Sequence, residues 1–230
     1  MSGYKWKCMI NACAKALKQL NEYDKFAVIM FDDRVTNITD TMVSGTEYNI
    51  KTVTKKIISM EVGGSTNIND ALIEGLGFIN TECLIENESC VNQMIFITDG
   101  QANAGETNPS NILKNVEQNN WNNCNIFSFG IGNNNGTNWV NDMDHSLLKL
   151  LSLNNNGFYK RIKSNNTTND LNTYFNILSQ PTSNNVNIKY TCNNITFKGM
   201  TKQKFNVVYG GNDIIVSGKI NPNNDDDMDN

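Results

Sequence analysis

Three short apolar runs, Phe26-Ala27-Val28-Ile29-Met30-Phe31, Met94-Ile95-Phe96-Ile97 and Ile126-Phe127-Ser128-Phe129-Gly130-Ile131, limit what this chain can fold into more than any other feature. Each is too short for a helix and too continuous for a strand with one wet face, which is the pattern of strands buried on both sides of a parallel sheet. Between the runs, apolar residues recur at helical spacing. Met9, Ile10, Cys13, Leu17 and Leu20 predict a first amphipathic helix, and a second is expected from about Asn49 to Met60. Leu72, Leu76 and Ile79 line a third helix opening near Asn69 and Asp70. Pro109 marks the first turn of a fourth, with Ile112, Leu113 and Val116 as its buried stripe. Leu147, Leu148, Leu150 and Leu151 form a helix, Phe158 to Ile162 a strand, and Leu171, Tyr174, Phe175 and Leu178 a closing helix before Pro181. Strand and helix alternate throughout, so the expected class is α/β, a doubly wound, mostly parallel sheet with flanking helices.

The pattern changes after Pro181. Val186 to Tyr190, Phe205 to Tyr209 and Ile214 to Gly218 read as short strands with a turn at Gly210-Gly211. The expected organisation is an α/β domain over 1–181, a β segment over 182–222 belonging to a following β domain, and an acidic, solvated tail over 223–230.

Composition removes several function classes. A formal net charge of −4 and a pI near 5.0 leave no basic surface for nucleic acid. No apolar stretch reaches the roughly 20 residues that span a bilayer, so membrane insertion is not expected. The 42 asparagines cluster in connections and read as compositional drift in loops. With so many, the glycosylation sequons at Asn37, Asn87, Asn135, Asn165, Asn166 and Asn194 carry no weight. The six cysteines lack zinc spacing. Cys83 and Cys90 bracket a polar loop that could close as a disulfide, while Cys8, Cys13 and Cys124 read as buried apolar residues.

Ligands of open parallel sheets collect at the carboxyl ends of the strands. Asp99 directly follows the Met94–Ile97 run, and Thr66 lies in the Gly63-Gly64-Ser65-Thr66 loop before a helix. The plainer readings are a turn former or helix cap for Asp99, and a tight turn with a capping residue for Thr66. His145, the single histidine, sits in a predicted helix between Asp144 and Ser146, where a surface position is expected.

Three segments in order, Gly63-Gly64-Ser65-Thr66-Asn67-Ile68-Asn69-Asp70-Ala71-Leu72, Ile97-Thr98-Asp99-Gly100 and Gly105-Glu106-Thr107-Asn108-Pro109, resemble those of von Willebrand factor A domains, and most of all those of inter-alpha-trypsin inhibitor heavy chains. The stretch from Gly210 to Ile220 is similar to the β segment following that domain. The resemblance implies a metal-ion-dependent adhesion site holding Mg²⁺, or Mn²⁺ or Ca²⁺, by oxygen ligands, with Thr66 and Asp99 as metal residues. It also implies another protein as partner, which offers a carboxylate to the metal's open position. The family's first motif, Asp-x-Ser-x-Ser at the end of its first strand, is not present, because Met1-Ser2-Gly3-Tyr4-Lys5 looks like the residues just after it. Ser2 is not carried over as a ligand. In the family's strand order the missing strand would lie between Phe26–Phe31 and Met94–Ile97, and the site it completes would bind weakly or not at all without it.

The resulting expectation is a protein-binding module without catalytic residues, set beside a metal-independent scaffold and a metal-dependent hydrolase using Asp99. No Asp-x-Asp pair, Gly-x-Ser-x-Gly or phosphate loop supports the hydrolase. The compartment stays open, being extracellular by resemblance, although such domains also occur inside cells.

Overall fold

The computed structural model describes residues 3–60, 63–86, 90–132, 143–163, 167–192, 195–210 and 214–222. In chain order the first part carries α1 (Gly3–Leu17), β1 (Lys25–Phe26), β2 (Ile29–Phe31), β3 (Val35–Asn37), β4 (Val43–Ser44), α2 (Glu47–Ser59) and α3 (Ile68–Glu86). It continues with β5 (Gln93–Thr98), α4 (Pro109–Asn119), β6 (Asn125–Gly132), α5 (His145–Asn154), β7 (Tyr159–Lys163) and α6 (Thr167–Leu178). The chain divides into two compact units, Met1–Ser179 and Gln180–Asn230.

In the first unit, β5, β6 and β7 form a parallel sheet in that order, with Ile95 opposite Phe127 and Gly130 opposite Arg161. All eight residues of β6 are buried, as its apolar run predicts for a strand covered on both faces. Successive side chains alternate between two helical layers. Ile126 joins the core made with Ile68, Leu72 and Leu76 of α3, Ile112 and Val116 of α4, and Leu147, Leu148 and Leu151 of α5. Phe129 points to the other layer, where its ring lies 5.4 Å from that of Tyr174 and 6.3 Å from that of Phe175, both on α6. Helix α1 packs on α6 in that second layer. Helices on both faces of a parallel sheet make the first unit a doubly wound α/β structure.

The first apolar run departs from expectation. Phe26 to Phe31 is not one strand of the parallel sheet: Lys25 and Phe26 pair antiparallel with Ser44 and Val43, and Ile29 to Phe31 pair antiparallel with Asn37 to Val35. Asp32 and Asp33 turn the chain back at once, and the returning segment supplies the nearest backbone partners, through Ile38 N–H to the Val28 carbonyl at 2.9 Å. Ile29, Met30 and Phe31 are therefore only half-buried.

The asparagines are also not simply loop filler. At the amino ends of the parallel strands Asn80 Nδ2 donates to the Asn119 carbonyl (2.8 Å), and Asn122 Nδ2 to Asn80 Oδ1 (3.0 Å). Asn120 Nδ2 donates to the Cys124 carbonyl (2.9 Å) and Asn155 Oδ1 (2.7 Å), while its Oδ1 accepts from Cys124 N–H (2.7 Å). Side-chain amides can close such turns because each carries donors and an acceptor on one group. This network ties α3, the α4–β6 connection and the end of α5 together.

Cys83 and Cys90 are both thiols rather than a disulfide, and Cys83 Sγ instead accepts from Asn92 Nδ2. Residues 87–89 of the loop between them lie outside the described residues. Burial, and secondarily the neighbouring Cys83, pushes the Cys124 thiol well above its ordinary range.

The second unit contains β8 (Pro181–Asn187), β9 (Ile195–Lys198), β10 (Lys204–Tyr209) and β11 (Lys219–Pro222). They form two antiparallel pairs, β8 with β10 and β9 with β11. The strand expected at Ile214 to Gly218 is absent; residues 214–218 lead instead into β11, and β9 was not anticipated. Gly211, in the expected turn, and the tail over 223–230 lie outside the described residues.

Two outcomes are expected. Phe129→Ala removes a fully buried ring from the doubly covered strand and costs about 3–5 kcal/mol in denaturant unfolding. Native-state alkylation modifies the exposed Cys90 and Cys192 and spares Cys8 and Cys124, read by mass spectrometry before and after unfolding.

Candidate functional site

At the carboxyl end of β5 three connections meet: the Asp32–Arg34 turn between β2 and β3, residues 63–67 ahead of α3, and the stretch from Asp99 to Asn108. Thr98 Oγ1 accepts from Gly100 N–H at 3.3 Å, so the strand's own last hydroxyl closes the turn that presents Asp99. Asp99 does not cap the following helix. That role belongs to Asn108, whose Oδ1 accepts from Ser110 N–H (2.9 Å) and Asn111 N–H (3.3 Å), with Pro109 in the first turn.

Thr66 is likewise released from capping. Asn67 Oδ1 accepts from Asp70 N–H (3.3 Å), and Asp70 Oδ2 accepts in return from Asn67 Nδ2 (2.8 Å), a reciprocal closure of the start of α3. The Thr66 backbone is clamped instead by Asn103, whose Oδ1 accepts from Thr66 N–H (2.6 Å) while Asn103 N–H donates to the Thr66 carbonyl (3.1 Å). The Thr66 hydroxyl faces Gly100, where an added Cβ would lie 3.2 Å from Oγ1. The two expected residues, Thr66 and Asp99, thus come from segments that lie against each other, both half-buried.

Asp32 holds the same corner from the other side. Its carbonyl accepts from Asn67 N–H at 2.7 Å, and its carboxylate lies against Gly63, where any Cβ would collide with it. The Arg34 N–H, donating to Asp32 Oδ1 at 3.0 Å, and secondarily the Asp33 side chain hold the Asp32 carboxyl below the usual carboxylate range. Gly105 takes φ +64°, and a side chain there would strike Asn67, so glycine is required on both counts. Glu106 accepts from Asn108 N–H (2.8 Å) and Asn111 Nδ2 (3.0 Å), which makes the Gly105 to Pro109 segment a helix-start device rather than a ligand set. Sequence reasoning missed Asp32 and Asn103 as positioning residues. Asn103 carries no local signal, because its contact spans 37 residues.

His145 corrects the surface expectation. It is half-buried at the start of α5, after the Asp144 cap, and its Nδ1 shares a short hydrogen bond with the Tyr159 hydroxyl. It stands with Met143 and with Tyr159, whose hydroxyl lies 3.9 Å from the Met143 sulfur.

The donor chemistry at Thr66 and Asp99 is all oxygen, which suits a hard divalent cation. These are the two residues expected to hold a metal, and among the described residues no group of three or more His, Cys, Asp or Glu is placed to hold one. Two such oxygens would fill two of the six positions of an octahedral site, with water or an outside group required for the other four.

A sequence profile of the von Willebrand factor type A domain matches residues 1–161, and the chain belongs to that family. Over 225 residues it is 32% identical to inter-alpha-trypsin inhibitor heavy chain H2 of Mesocricetus auratus, covering 96% of this chain and 23% of that protein. It is 29% identical to heavy chain H3 of Bos taurus over 223 residues, covering 96% and 24%. The chain therefore spans about a quarter of the length of these curated relatives. Among solved structures, a von Willebrand factor type A protein from Catenulispora acidiphila superposes with a TM-score of 0.69 at 14% identity, over 94% of this chain and 50% of that one. Proximal thread matrix protein 1 from the mussel byssus, solved with a zinc-occupied MIDAS motif, gives 0.55 at 16% identity, over 76% and 43%. Both likenesses concern the fold.

Asp32 yields a pH prediction. Its folded value lies below its unfolded one, so its contribution to stability is complete above about pH 3.9 and is lost as the pH falls through the folded value. In Asp32→Asn that component is expected to be missing, so denaturant unfolding followed by circular dichroism differs most from the unaltered chain at neutral pH, and the difference shrinks as the pH falls below about 4.

Proposed function

We propose that this chain is a protein-binding module, not an enzyme, whose Thr66 hydroxyl and Asp99 carboxylate hold one side of a Mg²⁺ or Mn²⁺ ion. A carboxylate offered by a partner protein fills an open position on the metal. The observation that carries this reading is the release of Thr66 from helix capping: Asn67 and Asp70 close α3 by themselves, and the Thr66 hydroxyl is left facing the Asp99-Gly100 turn with no hydrogen-bond partner among the described residues. A hydroxyl and one carboxylate leave most of the cation's charge uncompensated, which favours an anionic ligand from outside. When bound, the metal supplies a Lewis-acidic bridge between two proteins. The chain's own contribution is to hold the two oxygens in place through Asn103, Asp32 and Gly105.

The small donor set favours a second reading, a metal-independent scaffold, since two protein ligands bind a reluctantly dehydrated Mg²⁺ weakly. One titration separates the two. Metal bound only by the folded state raises the melting temperature, by about 3–6 °C for a domain of this size at ten times Kd. The shift is expected with Mg²⁺ or Mn²⁺, reversed by EDTA, abolished in Asp99→Ala and Thr66→Ala, and reduced in Asn103→Ala, which loosens Thr66 without removing a ligand. Equal melting temperatures with and without metal in the unaltered chain would leave the scaffold.

A further inference from the structure

Two thiols come together at the amino end of the parallel sheet, on the face that α3 covers. Cys83 continues the Leu72, Leu76 and Ile79 stripe of α3 at helical spacing and packs against the core that those residues help to form. Cys124 belongs to the same core and alternates with Ile126, so both side chains point to the α3 side of β6.

Asn92 links the two. Gln93 pairs with Asn125, which sets Asn92 beside Cys124, and alternation with Met94 and Phe96 turns the Asn92 side chain toward α3. Its Nδ2 lies 3.2 Å from Cys83 Sγ and 3.5 Å from the Asn122 carbonyl, while its own carbonyl accepts from Asn125 N–H at 2.9 Å. One residue thus touches the Cys83 sulfur and the chain on both sides of Cys124. The two thiols are also within electrostatic reach: burial first, and Cys83 second, raise the Cys124 thiol above its ordinary range.

Their access differs. Cys83 is half-buried in the last turn of α3, whereas Cys124 is fully buried and held by Asn120 through both its N–H and its carbonyl. The other cysteines compete poorly. Cys8 and Cys13 belong to α1 in the second helical layer, Cys192 belongs to the second unit, and Cys90 is exposed.

We propose that Cys83 and Cys124 are a latent disulfide, closed by an oxidant of the low-molecular-weight disulfide class that enters at Cys83. The Cys83 thiolate attacks one sulfur of the oxidant, forming a mixed disulfide and releasing a first thiolate. The Cys124 thiolate then attacks the Cys83 sulfur and releases the second. The pair loses two electrons and two protons, which the oxidant takes up as it becomes two thiols. Attack by the buried Cys124 is the slow step and quickens as the pH rises, because only the thiolate reacts. The closed bond fastens the last turn of α3 to the start of β6 and encloses β5 and α4 in one covalent loop, at the end of the sheet away from Thr66 and Asp99.

The test is disulfide mapping by mass spectrometry on the full chain, reduced, equilibrated with oxidised glutathione and quenched by alkylation. In the native chain the Cys83–Cys124 linkage is expected to dominate and to form equally well in Cys90→Ser. In urea the shorter loop closes more readily, so the preference is expected to reverse to Cys83–Cys90. Cys124→Ala in the Cys90→Ser background is expected to stop at a glutathione adduct on Cys83. If that variant does not fold, Cys83→Ser removes the linkage from the more accessible side. The closed native chain is expected to melt about 5–10 °C above the reduced one, since the bond restricts the unfolded chain. A native chain that forms chiefly Cys83–Cys90, retains glutathione on Cys83, stays reduced at Cys83 and Cys124, or melts lower once closed would overturn the proposal. Metal enters none of these readouts, so they stand apart from the cation titration.

Discussion

The burial of β6 on both faces is the constraint on which the first unit depends. Eight consecutive buried residues demand helices on each side, and they alternate without exception between the Ile126 layer, shared with α3, α4 and α5, and the Phe129 layer, shared with α6. A register slip of one residue would exchange the two sets and put Phe129 where Ser128 now lies. Two buried phenylalanine rings on one strand contribute about 1.5–3 kcal/mol each relative to exposure, a large part of the net stability of a domain this size. The loops at the carboxyl end of the sheet can then be polar and irregular, because their ends are fixed by a strand that cannot move.

Much of this was legible in the sequence, for a physical reason. The runs at Met94 and Ile126 became parallel strands and the stripes at Leu72, Ile112, Leu147 and Leu171 became helices, since periodicity reports which face is buried. The run at Phe26 was misleading because periodicity says nothing about partners. It carries the composition of a central strand, yet Asp32-Asp33 folds its second half onto β3, while its first half pairs with β4. In the second unit, strands of four residues with mostly exposed side chains carry too little pattern to place, and the apolar residues at Ile214 to Val216 lie ahead of a strand that begins at Lys219.

For the candidate site, sequence order supplied Thr66 and Asp99, but not the residues that hold them. The Asn103 clamp on Thr66 and the Asp32 contacts to Gly63 and Asn67 bridge segments far apart in the chain, and neither residue type is distinctive where it stands. The helix starts were more readable than they were read. Asn67 with Asp70 three residues later, and Asn108 before Pro109, are capping patterns; recognising them would have removed the competing cap readings of Thr66 and Asp99 at once.

The asparagine network at the opposite end of the sheet depends on its amides staying intact. Asn80 and Asn120 use their amide nitrogens to meet backbone carbonyls, and Asn120 also meets the side-chain oxygen of Asn155. Deamidation replaces that nitrogen with a charged oxygen, so a donor facing an acceptor becomes an anion facing the same acceptor. The shape of the side chain barely changes while the sign of the interaction reverses. Ageing by one hydrolysed amide would therefore open the α4–β6 turn from within, with the hydrophobic core above it still intact.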